Sequence, residues 1–259
     1  MARPDDADLK QLLAQFVCVR VVQGNDADLS LFQFDYDATF AAFFLHADRT
    51  IYGRFGTRSA ARDGSEHVTS GAFQKALRGA LELHAGYPGN RAQLAGKSGE
   101  LAVAARPAEL AALRRYDEAA DFAGGGARVD ASCIHCHQLG TGLAQERWQR
   151  RLPLSDEILF PWPMPDVAGF TTTIEHDLTV ATVVPASAAA NAGLRPGDEV
   201  TKLGGQPLLS LADLQWVLHR APASVKLPFV ARRGTERVEG SIELAAGWRR
   251  PAQRTWRMS

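Results

Sequence analysis

Between Val183 and Val200 the chain reads VVPASAAANAGLRPGDEV, which compresses a strand end, a short helix and two tight turns into 18 residues. Ala188 to Ala192 forms the helix, Gly193 closes it, and Pro196-Gly197 turns the chain into a strand from Glu199 to Leu203. Gly204-Gly205 turns it again before Gln206-Pro207-Leu208. Strands are expected before this run at Thr171–Glu175 and Thr179–Val184, and after it at Lys226–Arg232 and Arg237–Leu244. Between them, Ser210 caps a helix running to Arg220, with Asp213 at its third position and Leu211, Leu214 and Leu218 on one side.

This run closely resembles the PDZ signature of bacterial exported proteases. The resemblance implies a C-terminal PDZ β-barrel with two helices over residues 165–247. It also implies a partner: a protein or peptide C-terminus that adds as a strand beside the second helix, its carboxylate held by backbone amides of a loop ending in a glycine–hydrophobe pair. Val167-Ala168-Gly169-Phe170 occupies that place. Thr171 and Thr172 on the strand, with Leu211, Gln215 and His219 on the helix, would then set specificity, although the leucines serve core packing equally well. No Gly-X-Ser-X-Gly is present and nothing before residue 165 resembles a trypsin-like domain, so peptidase activity is not expected.

Only three cysteines occur, and two of them stand in Cys133-Ile134-His135-Cys136-His137. That is no disulfide framework. The spacing puts two thiols and an imidazole on one helical turn and resembles the haem attachment site of c-type cytochromes, in which the thiols form thioethers and the histidine binds iron. The resemblance implies haem c on Cys133, Cys136 and His137, with Met164 as a sixth ligand and His135, His84 or His67 as alternatives. Zinc is the rival metal, since the two cysteines and either histidine supply three ligands, one short of a closed site. A redox dithiol is the third option, with Cys133 lowered in pKa at a helix start. Cys18, in Phe16–Val22, is expected to be an ordinary buried strand residue.

Toward the amino terminus the pattern is a helix (Asp8–Gln15), the β-rich run Phe16–Val22, a strand (Thr39–Leu45), a turn at His46–Arg49, a returning strand (Thr50–Phe55) and a helix (Gly71–His84). The stretch FAAFFLHADRTIYGRFG within it resembles the C-terminal half of a thioredoxin-like domain. The family's Cys-X-X-Cys strand and cis-proline are missing, so a degenerate or N-terminally truncated scaffold is implied, without thioredoxin catalysis. Residues 1–90 are assigned to it. Residues 91–164 read as a helical connector carrying the Cys-His motif, with one helical piece at Ala108–Phe122, and 248–259 as a tail. The fold class is thus α+β or α/β, multidomain. Taken across its length, the chain is similar to a bacterial family of thioredoxin-like plus PDZ proteins, some of which contain selenocysteine.

Lysine plus arginine total 29 and aspartate plus glutamate total 29, so no net charge draws the chain to nucleic acid or anionic lipid. No apolar window of about 18 residues exists to span a membrane. The opening MARPDDADLK shows no secretory signal. Haem attachment would demand a periplasmic or exported location, and without it the chain reads as cytoplasmic. Two functions emerge: a haem c electron carrier or redox sensor docked by its PDZ domain, with a redox partner, or a non-enzymatic PDZ adaptor with a structural metal or dithiol element. A thiol–disulfide oxidoreductase is a weaker third.

Overall fold

The computed structural model describes residues 6–21, 24–38, 40–56, 69–100, 103–114, 134, 136–174 and 178–250. Helix α1 (Ala7–Leu13) starts at Asp6, whose carboxylate accepts from the Leu9 amide and also takes hydrogen bonds from Ser70 Oγ and Gln74 Nε2. Those two residues belong to α2 (Ser70–Ala85), so a single N-cap also ties two helices together. Strands β1 (Ala42–Leu45) and β2 (Ile51–Phe55) pair antiparallel as a hairpin. Small residues Ala72, Ala76 and Ala80 line the buried face of α2, which lets it lie close to the hairpin around Phe44, Tyr52 and Phe55.

Phe16–Val22 was expected as a strand, and here the structure differs. Among the described residues, 16–21 belong to no strand; Val17 is 94% exposed and Val19 81%. A strand holds only when a neighbour satisfies its amides and carbonyls, and no such neighbour lies alongside among the described residues. Cys18 is accordingly exposed rather than buried.

After α3 (Arg91–Leu94) come 3-10 turns at Ala95–Lys97 and Pro107–Glu109. The helix expected over Ala108–Phe122 lies mostly outside the described residues. Helix α4 (Cys136–Gln149) packs Leu139 and Gly142 against a small core of Leu29, Leu110, Leu113 and Ile134. Helix α5 (Asp156–Leu159) and a 3-10 turn at Pro165–Ala168 lead into the C-terminal unit.

That unit contains β3 (Phe170–Thr172), β4 (Val180–Val183), α6 (Ala188–Asn191), β5 (Glu199–Leu203), β6 (Gln206–Pro207), α7 (Leu211–Arg220), β7 (Val225–Arg233) and β8 (Glu236–Leu244). The strands form a two-stranded β3–β4 sheet and a four-stranded sheet in the order β6-β5-β7-β8. The expectation of a barrel is corrected: neither sheet closes. β3 and β4 are short, and among the described residues the two sheets meet at the isolated bridge Thr179–Glu199 and the backbone hydrogen bonds beside it, Val200 to Leu178 and Val180 to Asp198. The core between them holds Phe170, Val180, Leu203, Leu214, Trp216 and Phe229. Trp248, placed in the tail by sequence, belongs to this core, with its indole N–H donating to the Pro222 carbonyl. Arg249 follows it and donates to the carbonyls of His219 and Ala221 at the end of α7.

Candidate functional site

The loop before β3 is shaped by Gly169. Its φ is +87°, and an added Cβ there would collide with Ser187 at the start of α6. Ser187 Oγ donates to the Gly169 carbonyl, which also accepts from the Val184 amide. The amides of Val167 and Gly169 donate to the carbonyls of Met164 and Asp166, closing the 3-10 turn. Val167 is half-buried, whereas Ala168 and Phe170 are buried. On β3, Thr171 is exposed and its hydroxyl meets Thr182 on β4 at 2.7 Å. Thr172 points inward and is buried, its hydroxyl without a hydrogen bond among the described residues.

Helix α7 supplies the other wall. Ser210 Oγ caps it by accepting from the Ala212 amide. Every residue from Leu211 through Leu218 is buried, so the helix is covered on all sides. Leu211 is 1% exposed and packs in the core. Gln215, also 1% exposed, donates from Nε2 to the Trp162 carbonyl at 3.1 Å. His219 is half-buried against Trp162, with ring centroids 4.7 Å apart and 18° between planes. The structure therefore brings Gln215 and His219 together with Trp162, which lies near the end of the stretch assigned as connector. Met164, the expected sixth haem ligand, is here packed against the C-terminal core with its sulfur 3.3 Å from Gln215 Nε2.

The opposite side of α7 meets the N-terminal hairpin through buried charge. Asp213 accepts from the amides of Arg54, at 3.1 Å, and Leu209, at 2.9 Å, and pairs with Lys97 Nζ at 3.0 Å. Ser210 Oγ donates to the Arg54 carbonyl at 2.6 Å. The Arg54 guanidinium lies 4.0 Å over the Trp216 ring and donates to the carbonyls of Gln33 and Lys97. Burial lowers Arg54 to about 10 against the opposing pull of Asp213 and Tyr36. It lowers Lys97 as well, again opposed by Asp213. An added Cβ at Gly53 would stand 2.6 Å from both Asp213 Oδ2 and Leu209, so only glycine permits this approach.

In the Cys-His segment, Cys133 and His135 lie outside the described residues, as does His67. Cys136 and His137 open α4 and both are exposed. Partial burial pushes the Cys136 thiol up, because desolvation disfavours the thiolate; the lowering expected at Cys133 falls outside the described residues. Tyr36 is pushed up by burial and then by Cys136. His84 is engaged elsewhere, with its Nδ1 2.9 Å from Tyr52 Oη. Among the described residues, no three histidine, cysteine or carboxylate side chains gather to hold a metal.

A PDZ family model matches residues 179–233, about a fifth of the chain. Residues 179–233 are a PDZ domain. Among solved structures, the chain is similar to the HtrA3 PDZ domain crystallised with a phage-derived ligand, FGRWV: 29% identity, 25% of this chain and 60% of that chain covered, TM-score 0.23. No curated protein matches. The family match does not reach residues 1–90, for which a thioredoxin-like scaffold was the expectation, or the Cys-His motif. No helix among the described residues is long and apolar enough to cross a membrane.

Proposed function

We propose that this chain is a protein-binding adaptor that takes a partner's free C-terminus between β3 and α7. The observation that carries this reading is the PDZ domain at 179–233, preceded directly by the Gly169 turn that opens onto β3. The turn Val167–Phe170 would hold the terminal carboxylate, which asks the amides of Val167 and Gly169 to leave the Met164 and Asp166 carbonyls. The β3 backbone would pair with the peptide strand, and Thr171, Thr172, Leu211, Gln215 and His219 would read its side chains. Pentapeptides with free C-termini, titrated by fluorescence polarisation, are expected to bind the full chain, and their C-terminally amidated forms to lose that binding. Equal binding of acid and amide would reject the carboxylate-reading mode.

A second reading is haem c on Cys133 and Cys136 with His137 as axial ligand, making the chain an electron carrier or redox sensor at a periplasmic or exported site. It is supported by the motif spacing and by the exposure of Cys136 and His137 at the start of α4. The donor set fits the group: a thiol for a thioether and an adjacent imidazole for iron, which would supply one-electron chemistry. Here Met164 serves the PDZ side, and a sixth ligand would have to come from another residue. Zinc or a dithiol on the same cysteines is the alternative. Export from a host with haem-attachment machinery, followed by a visible spectrum and intact mass, tests it. A Soret band and haem mass lost in Cys133→Ser, Cys136→Ser support it, and a colourless chain of unmodified mass rejects it.

A further inference from the structure

A peptide adding to β3 lies against α7 and needs the positions spaced one turn apart along it, Leu211, Gln215 and His219. Two of these already hold a segment of the chain itself. Gln215 donates to the Trp162 carbonyl and to Met164 Sδ, while the Trp162 amide donates to His219 Nδ1 at 3.4 Å and its indole stacks on the imidazole. Trp162 is thereby 6% exposed. The preceding helix α5 is fastened to the same end of α7, with Glu157 pairing to Arg220 at 3.1 Å.

We infer that Trp162-Pro163-Met164 is an internal plug of the peptide groove, so that the PDZ domain is closed to C-termini until the plug leaves α7. This rests on the peptide-binding reading above. The plug's attachment suits release. Pro161, Pro163 and Pro165 carry no amide proton, so the segment contributes to no sheet ladder, and its departure unravels no strand and opens only the start of the 3-10 turn Pro165–Ala168. It is held by hydrogen bonds to Gln215 and His219 and by ring contacts with His219 and Trp216, with the Trp162 side chain set into the edge of the core. It also runs directly into the carboxylate loop, because the Met164 carbonyl accepts from the Val167 amide. Seating a ligand in that loop and moving the plug are therefore coupled. The plug's own chemistry, an indole and a thioether, identifies the competing partner as a peptide with a large aromatic or sulfur-bearing residue at or next to its free C-terminus.

Fluorescein-labelled pentapeptides ending in Trp, Phe, Met or Ala test this against the full chain, Met164→Ala and the double variant Trp162→Ala, Met164→Ala, each first checked for a native melt. Affinity for the aromatic and methionine peptides is expected to rise about tenfold in the double variant and less in the single one, as the closed fraction disappears. Equal, measurable affinity in all three proteins overturns the plug and leaves peptide binding standing. Absence of binding in all three overturns both. Should the double variant fail to fold, hydrogen exchange on the wild-type chain decides: saturating Trp-terminated peptide must deprotect the Trp162 amide, which donates to His219 Nδ1, and unchanged protection rejects the plug.

Discussion

Asp213 joins two cores through one carboxylate. It is 0% exposed, so its charge is tolerable only because two amides and the Lys97 ammonium surround it. Asp213→Asn leaves Lys97 buried without a counter-charge and is expected to cost about 3–5 kcal/mol, read from urea unfolding of the full chain. At the other end of the PDZ domain, Asp198 is held below its ordinary range: burial would raise it, but the two-point pair with Arg233 and the Arg195 amide outweigh that. A carboxylate lowered by folding contributes stability above its unfolded value near 3.8 and loses it as pH falls through the folded value. Melts should thus weaken as pH drops below about 4, and Arg233→Ala should flatten that acid limb. Gly169→Ala should destabilise by at least about 1–2 kcal/mol, with peptide affinity reduced alongside, because φ +87° is strained for alanine and Ser187 blocks its methyl. The turn glycines were readable because their demand is local. Arg54 and Asp213 were not: an arginine in a strand and an aspartate near a helix start read as surface residues, and their partnership spans 159 positions.

The PDZ strands and α7 fall close to their expected positions, since turn residues bracket each one and the apolar periodicity between them is clear. Legibility fails where an element depends on a distant neighbour. Phe16–Val22 has strand composition yet pairs with no strand among the described residues, and Pro161–Pro165, at the end of the assigned connector, delivers the Trp162 ring that stacks on His219 of α7. Helix α7 shows why the distinction between core and groove leucines could not be drawn from sequence: it has no outward side. Trp216, with its indole N–H on the Gly96 carbonyl at 2.8 Å and Arg54 over its ring, is the centre of that arrangement. Trp216→Ala should cost about 3–5 kcal/mol, visible as a lowered urea midpoint with an unchanged slope.

Across the whole molecule, the separate units suggested by composition are stitched together at α7. Hairpin β1–β2, the turn at Lys97 and the PDZ helix share buried polar partners, and Leu209, from the PDZ stretch, packs in the N-terminal core. A fragment of residues 159–250 should therefore melt below the full chain and bind a hydrophobic dye, since removing the N-terminal part bares Asp213, Trp216 and Leu209. A fragment with the full chain's melting temperature and no dye binding would contradict that dependence.

A helix buried from Leu211 through Leu218 also limits how the proposed groove can acquire new partners. Changing Gln215 to suit another ligand disturbs Trp162, and changing its neighbours disturbs Arg54. Libraries randomised along α7 alone should yield mostly unfolded clones. Under the proposed binding mode, exposed Thr171 on β3 is the position where preference can shift without remaking the protein.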